Sequence, residues 1–194
     1  DGYRRAASWY ATALPVTQPG KRVFVHFGAV SSVADVSLNG EKIGEHRGPS
    51  TAFTFELTDK LRQPGPNNLL VKADNAWRPD VAPLSGDFGL PGGIYRDVTL
   101  IEKDPICISP LYFGSRGIIV TQTSADASRG ALKIVAHVDR AVVAAPELTF
   151  SLLDAAGKVV AREKKIGDRA TGPGEVQAEL SLAEPHLWNG IKDP

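Results

Sequence analysis

Glycine and proline break this chain so often, with 19 Gly and 14 Pro in 194 residues, that long helices are excluded and strands of about five to eight residues are favoured. Alternation of apolar and polar side chains fills the gaps. Arg22-Val23-Phe24-Val25-His26-Phe27 sets Val23, Val25 and Phe27 on one face and Arg22, Phe24 and His26 on the other, predicting a strand with one face in a core. Val36-Ser37-Leu38 continues in the same style and runs into Asn39-Gly40. Both central residues of a type I′ turn need positive φ, so this dipeptide predicts a tight hairpin with its return strand over Glu41 to Gly44. Phe53 to Leu57 alternates again, Thr58-Asp59 can cap one helical turn ending near Leu61, and Gly65-Pro66 closes it. Asn68 to Asp74 reads as the next strand. From Asn75 to Gly93 neither period is found, and a loop of that length is usually functional or disordered. Tyr95 to Ile101 resumes as a strand, with Val98 and Leu100 on one face.

A second series follows Lys103-Asp104-Pro105: Ile106 to Ile108, Gly117 to Thr123, Ala131 to Asp139, Glu147 to Leu153, Val159 to Ala161 and Glu175 to Leu182. Asp154 to Gly157 joins two of these as a hairpin. The boundary is expected near 104–108, giving domains of 1–104 and 105–194. Turns every eight to twelve residues suggest an immunoglobulin-like sandwich in the second, without the Cys-Trp-Cys core of antibody domains and with six strands where a full one has about seven.

Twenty-two basic and 22 acidic residues cancel to zero net charge, which argues against a nucleic-acid partner. The longest apolar runs, such as Ala141–Pro146, fall far short of the roughly 18 residues of a membrane helix. Cys107 is the single cysteine, so neither an internal disulfide nor a cysteine metal cage is available. Met is absent and the chain opens on Asp1, so it is expected to be a piece of something longer, beginning at neither a translation start nor a signal peptide.

Local chemistry is sparse. His26, His46, His137 and His186 stand apart from one another, so no zinc site is supported. The nearest string to a nucleophile elbow is Gly114-Ser115-Arg116-Gly117, no phosphate cradle occurs, and Leu90-Pro91-Gly92-Gly93 leads into a strand and offers phosphate no helix N-terminus. No cofactor and no metal are expected.

One stretch is more specific: Asp87-Phe88-Gly89-Leu90-Pro91-Gly92-Gly93-Ile94-Tyr95-Arg96-Asp97-Val98 carries an acid and aromatics into a strand. It resembles the amino-terminal sugar-binding domain of glycoside hydrolase family 2, the β-galactosidase, β-glucuronidase and β-mannosidase family, whose members carry Gly-Gly-Ile-Tyr-Arg-Asp-Val here. Ser8-Trp9-Tyr10 is similar to that family's early tryptophan-tyrosine strand, and Val25-His26-Phe27-Gly28-Ala29-Val30 to its F-x-G-V segment. Asn39-Gly40 with Gly44-Glu45-His46-Arg47-Gly48 is similar to its N-G-x-x-x-G-x-H-x-G hairpin. Phe53 to Thr58 and Asn68 to Asn75 follow in order. The resemblance covers residues 1 to about 102, and Pro185 to Gly190 with Asp193-Pro194 resembles a segment of the family's second domain.

The resemblance implies an all-β chain: a jelly-roll-type β-sandwich short of its opening strand, then an immunoglobulin-like β-sandwich short of its last strands. It implies a retaining glycosidase as parent, whose two catalytic glutamates lie on a following (β/α)₈ barrel. No catalytic residue is therefore assigned here. Packing on that barrel and a carbohydrate, a β-glycoside, are the implied partners, and a periplasmic or secreted location follows by analogy. Asp87 and Asn75 match the family's sugar ligands in the first domain, and carboxylates and amides suit sugar hydroxyls. Asn75 also suits a strand-ending Asx turn, and Asp87 also suits a local pair with Arg78 or Arg96. Arg96 and Asp97 read as a structural charge pair, Trp77 as an aromatic pinning its loop, His46 as a satisfied turn residue, and Trp9 and Trp188 as core. A stand-alone carbohydrate-binding module and a structural tandem of sandwiches are the rival readings.

Overall fold

The computed structural model describes residues 5–15, 17–85, 92–188 and 190–191. Among the described residues the regular structure is antiparallel β-strand, apart from one short 3₁₀ turn. Two compact units form: Asp1–Asp104 with Pro110–Ser115, and Pro105–Ser109 with Arg116–Pro194.

The first unit contains β1 (Ala7–Ala13), β2 (Arg22–Phe27), β3 (Val30–Ser31), β4 (Val33–Leu38), β5 (Glu41–Arg47), β6 (Phe53–Glu56), β7 (Asn68–Asp74), β8 (Gly93–Ile94) and β9 (Val98–Lys103). One sheet runs β1-β7-β4-β5, a second runs β6-β2-β9, and β3 pairs with β8. Alternation decides which side chains meet. Val23, Val25 and Phe27 of β2 share one buried cluster with Ala34, Val36 and Leu38 of β4 and Leu69, Val71 and Ala73 of β7. The inner faces of the two sheets thus form a sandwich core.

The other face of β2 is not solvated as its alternation predicts. Phe24 is fully buried and Arg22 nearly so, with the Arg22 guanidinium 5.1 Å from the Phe24 ring centroid. A charged residue can hold a buried position when it is paired, and Arg22 is. Asn39 (φ 55°) and Gly40 (φ 87°) make the expected turn with both central residues at positive φ. The 3₁₀ turn Thr58–Lys60 begins after Leu57 without a side-chain cap. The Thr58 hydroxyl is committed elsewhere, accepting from the Val23 amide at 3.0 Å and donating to Glu56 at 2.7 Å. The final strand starts at Val98, three residues later than the alternation suggests. Leu100 reaches the core, while Val98 stays exposed.

Asn67 locks the loop before β7. Its Oδ1 accepts from Asn39 Nδ2 at 2.9 Å and the Arg62 amide at 2.8 Å; its Nδ2 donates to the carbonyls of Arg62 at 3.1 Å and Gly65 at 3.2 Å. The amide's full bonding capacity is thereby used in a buried place. Asn67→Ala strands two donors and two acceptors, so a loss of about 2–3 kcal/mol is expected in urea denaturation; a loss below about 0.5 kcal/mol would mean that water replaces the amide.

The second unit contains β10 (Ile106–Ile108), β11 (Ile118–Ala125), β12 (Arg129–Ala144), β13 (Glu147–Leu153), β14 (Val159–Ile166) and β15 (Ala170–Ala183). β12 is its spine, with β10 and β11 along one edge and β15 along the other. The β13–β14 hairpin turns where Asp154 Oδ1 accepts the amides of Ala156 and Lys158, each at 2.9 Å. Ile134, Ala136 and Val138 of β12 and Val176, Ala178 and Leu180 of β15 form the core with Phe150 of β13.

Candidate functional site

β7 delivers Asn75 to the end of the first sheet, one residue beyond the strand. The side chain is buried, and its Oδ1 accepts the Ala6 amide at 2.8 Å, fixing the chain as it enters β1. The opposite wall is the glycine pair. A Cβ on Gly92 would lie 2.8 Å from Asn75 Nδ2, and one on Gly93, at φ +84°, would lie 2.1 Å from the Tyr10 phenolic oxygen. Only glycine lets the backbone come this close. Ala6, Tyr10, Asn75 and Gly92-Gly93 therefore make one corner; the sequence singles out Asn75 and the glycine pair but not their contact.

The adjoining loop is organised by Asp74. Its carboxylate accepts the Ala76 amide and the Arg78 guanidinium, both at 2.9 Å. The Ala76 amide first, and then Arg78, outweigh burial and hold the Asp74 carboxyl below its usual range. Arg78, which the sequence offers as a partner to Asp87, thus has an acid beside it in Asp74. Asp87 lies outside the described residues.

Other assignments change. Trp77 is exposed, and its indole N–H donates to the Leu84 carbonyl at 3.1 Å; it closes its own loop and does not pin it to the sheet. Trp9 (62% exposed) and Trp188 (74%) are not core residues. Trp9 sits on the edge strand β1 opposite Lys72, whose ammonium is 6.0 Å from the ring, and Trp188 lies past the end of β15. Arg96 donates to the Ser50 carbonyl at 3.3 Å and lies by the Tyr95 ring, while the Asp97 backbone carbonyl accepts the Gly28 amide at 2.9 Å. Among the described residues Arg96 and Asp97 form no ion pair. Cys107 lies on β10, partly buried.

His46 is a β5 residue whose ring stacks on Phe53 at 4.1 Å, and Phe53 stacks in turn on Phe27 at 4.7 Å. Burial pushes the His46 pKa down. Beside it lies a cavity of about 540 Å³ whose wall includes Leu111, Tyr112 and Phe113. The sequence singles out none of these three residues. Among the described residues, no group of three His, Cys, Asp or Glu side chains is placed to hold a metal.

A glycine-walled strand end thus closes one side of the antiparallel sandwich of the first unit. A family described as "Glycosyl hydrolase 2 galactose-binding domain-like" matches residues 3–83, and the chain belongs to glycoside hydrolase family 2. It is 39% identical over 198 residues to a β-glucuronidase of Bacteroides fragilis, covering 99% of this chain and 28% of that protein. It is 38% identical over 114 residues to a β-galactosidase of Thermoanaerobacter pseudethanolicus, covering 56% of this chain and 15% of that protein. The crystal structure of a Bacteroides uniformis β-glucuronidase superposes with a TM-score of 0.89 at 31% identity, over 96% of this chain and 23% of that one. The chain thus spans less than a third of the length of these relatives.

Proposed function

We propose that this chain is the non-catalytic amino-terminal part of a retaining β-glycosidase and that it shapes the sugar subsite of a catalytic barrel carried elsewhere in the parent. The carrying observation is the 39% identity maintained over 99% of the chain to a β-glucuronidase more than three times its length. Residues 1–104 are read as a jelly-roll-type sugar-binding domain and 105–194 as an immunoglobulin-like domain. Two carboxylates about 5 Å apart perform the retaining reaction, and a barrel of roughly 250 residues is needed to hold them; the chain's own role is binding and orientation.

Asn75 and Asp87 are the proposed sugar ligands. Asn75 is supported by its rigid seat: with Oδ1 tied to Ala6 and glycine at its side, the amide cannot rotate away. An amide so held gives a hydroxyl a fixed partner, and preorganisation of this kind lowers the cost of binding. Asp87 is supported by the family pattern alone. The hydroxyl it would accept loses a charge-assisted hydrogen bond when the acid is removed.

The test uses the full-length polypeptide that carries this segment, assayed on aryl β-galactosides and aryl β-glucuronides. Asp87→Ala is expected to lower kcat/KM by about 10- to 100-fold, the value of one hydrogen bond to a charged group, with the melting temperature unchanged. Asn75→Ala is expected to lower both kcat/KM and stability, because it also frees the Ala6 amide. Wild-type kinetics in the Asp87 variant would overturn the ligand assignment.

A further inference from the structure

The cavity beside His46 is built from unusual backbone. Phe113 takes φ +49° and Gly114 φ +60°, and Gly114 presses so closely on the start of β6 that a Cβ would lie 2.7 Å from the Ala52 carbonyl carbon and the Phe53 nitrogen. A bulky residue in the left-handed region is uncommon and is held only where its surroundings fix it. The result of this fixation is an aromatic ring set edge-on to Tyr112 at 4.9 Å and left 82% exposed at the rim of a cavity of about 540 Å³.

The walls limit what can occupy it. Among the described residues none that lines it is Lys, Arg, Asp or Glu, so phosphate, carboxylate or ammonium would meet no counter-charge from them. A single histidine cannot hold a metal. A wholly apolar occupant would strip water from His46 and Thr51 without replacing its hydrogen bonds. One His46 nitrogen, Nε2, meets the Thr51 hydroxyl at 3.0 Å; among the described residues Nδ1 has no partner. A neutral imidazole offers one donor and one acceptor, so a hydroxyl can be served in either direction. The fitting ligand is uncharged, presents an apolar face to Phe113, and carries hydroxyls toward His46 and Thr51.

We propose that the cavity lined by His46, Thr51, Phe53, Leu111, Tyr112 and Phe113 is a second carbohydrate site that takes a neutral pyranoside, with the Phe113 ring as stacking platform and His46 as hydroxyl partner. The site contains neither Asn75 nor Asp87 and stands without the function proposed above. Its neutrality makes it selective: a uronate brings a charge that nothing in the wall offsets.

The 194-residue chain is titrated with methyl β-galactopyranoside and methyl β-glucuronide and followed by saturation-transfer NMR. Binding of the galactoside in the millimolar range is expected, with the glucuronide at least about tenfold weaker. Phe113→Ala is expected to weaken the galactoside about tenfold, Phe113→Trp to preserve it, and Trp9→Ala to leave it unchanged. Because the Phe113 ring is exposed, its removal leaves the fold intact, which an unchanged melting curve verifies. No transfer to any pyranoside at about 100 mM, or equal binding by Phe113→Ala and wild type, would overturn the site. Loss of binding in Trp77→Ala alone would also overturn it and would move the ligand to the loop after Asn75, whose proposed role is judged separately by the Asp87→Ala kinetics.

Discussion

Phe27→Ala is expected to lower the stability of the first unit by about 3–5 kcal/mol, the range for removing a fully buried aromatic and leaving a cavity. Phe27 has no exposed surface and belongs to the cluster that joins β2 to β4 and β7. It is also the innermost ring of a column. Phe53 stacks on it at 4.7 Å with an interplanar angle of 14°, and His46 continues the stack at 4.1 Å with the same angle. Deleting the base of the column removes dispersion contacts that backbone relaxation recovers only partly, because interiors are packed like organic crystals. Urea denaturation followed by tryptophan fluorescence reads the change, since Trp9 and Trp77 report on the first unit and Trp188 on the second. The expected trace has the first signal shifted to lower urea. A shift worth less than about 1 kcal/mol would mean that the core collapses onto the gap more completely than cores of this type do.

Such a core was legible in the sequence because strand alternation has a period of two and survives reading without any partner. Asn39-Gly40 was legible for a similar reason, as the turn's need for positive φ is local. What escaped was set by distant neighbours. Phe24 alternates outward, yet it is buried; nothing between Arg22 and Phe27 says that the Arg22 guanidinium will lie over its ring. Trp9 was expected in a core, but it lies on β1, which is exposed along its length, with Lys72 as its cross-strand neighbour. The Asn75 corner shows the same division. A Gly-Gly pair announces close approach to something, while the identities of that something, Asn75 and Tyr10, lie 17 and 83 positions away. Pro110–Ser115 joins the first unit from within the second series of strands, a return that no local pattern marks.

The same nonlocality makes Glu56 the more informative of the remaining positions. Glu56→Ala is expected to cost about 3 kcal/mol, because it removes the two-pronged carboxylate from the buried Arg22 guanidinium. The Arg22 side chain is 7% exposed and that of Glu56 30%. Their pairing is two-pronged, Nε to Oε1 at 2.9 Å and a terminal nitrogen to Oε2 at 2.7 Å. Replacing both partners removes the cost of desolvating the pair along with its attraction, so Arg22→Met with Glu56→Leu is expected to lie within about 1 kcal/mol of wild type. The pair also sets an acid limit. Burial acts to raise the Glu56 pKa, but the Arg22 and Thr58 hydrogen bonds and the Arg22 charge outweigh it and hold the carboxyl below its ordinary 4.5. The folded value then lies under the unfolded one, so near that pH the unfolded chain binds more protons. This contribution is fully present above the unfolded value and is lost as pH falls through the folded one. Urea midpoints taken from neutral pH down to about pH 3 should therefore fall less steeply in the double variant than in wild type. Equal slopes would assign the acid limb to other carboxylates, with Asp74, itself held low by the Ala76 amide and Arg78, the next to replace.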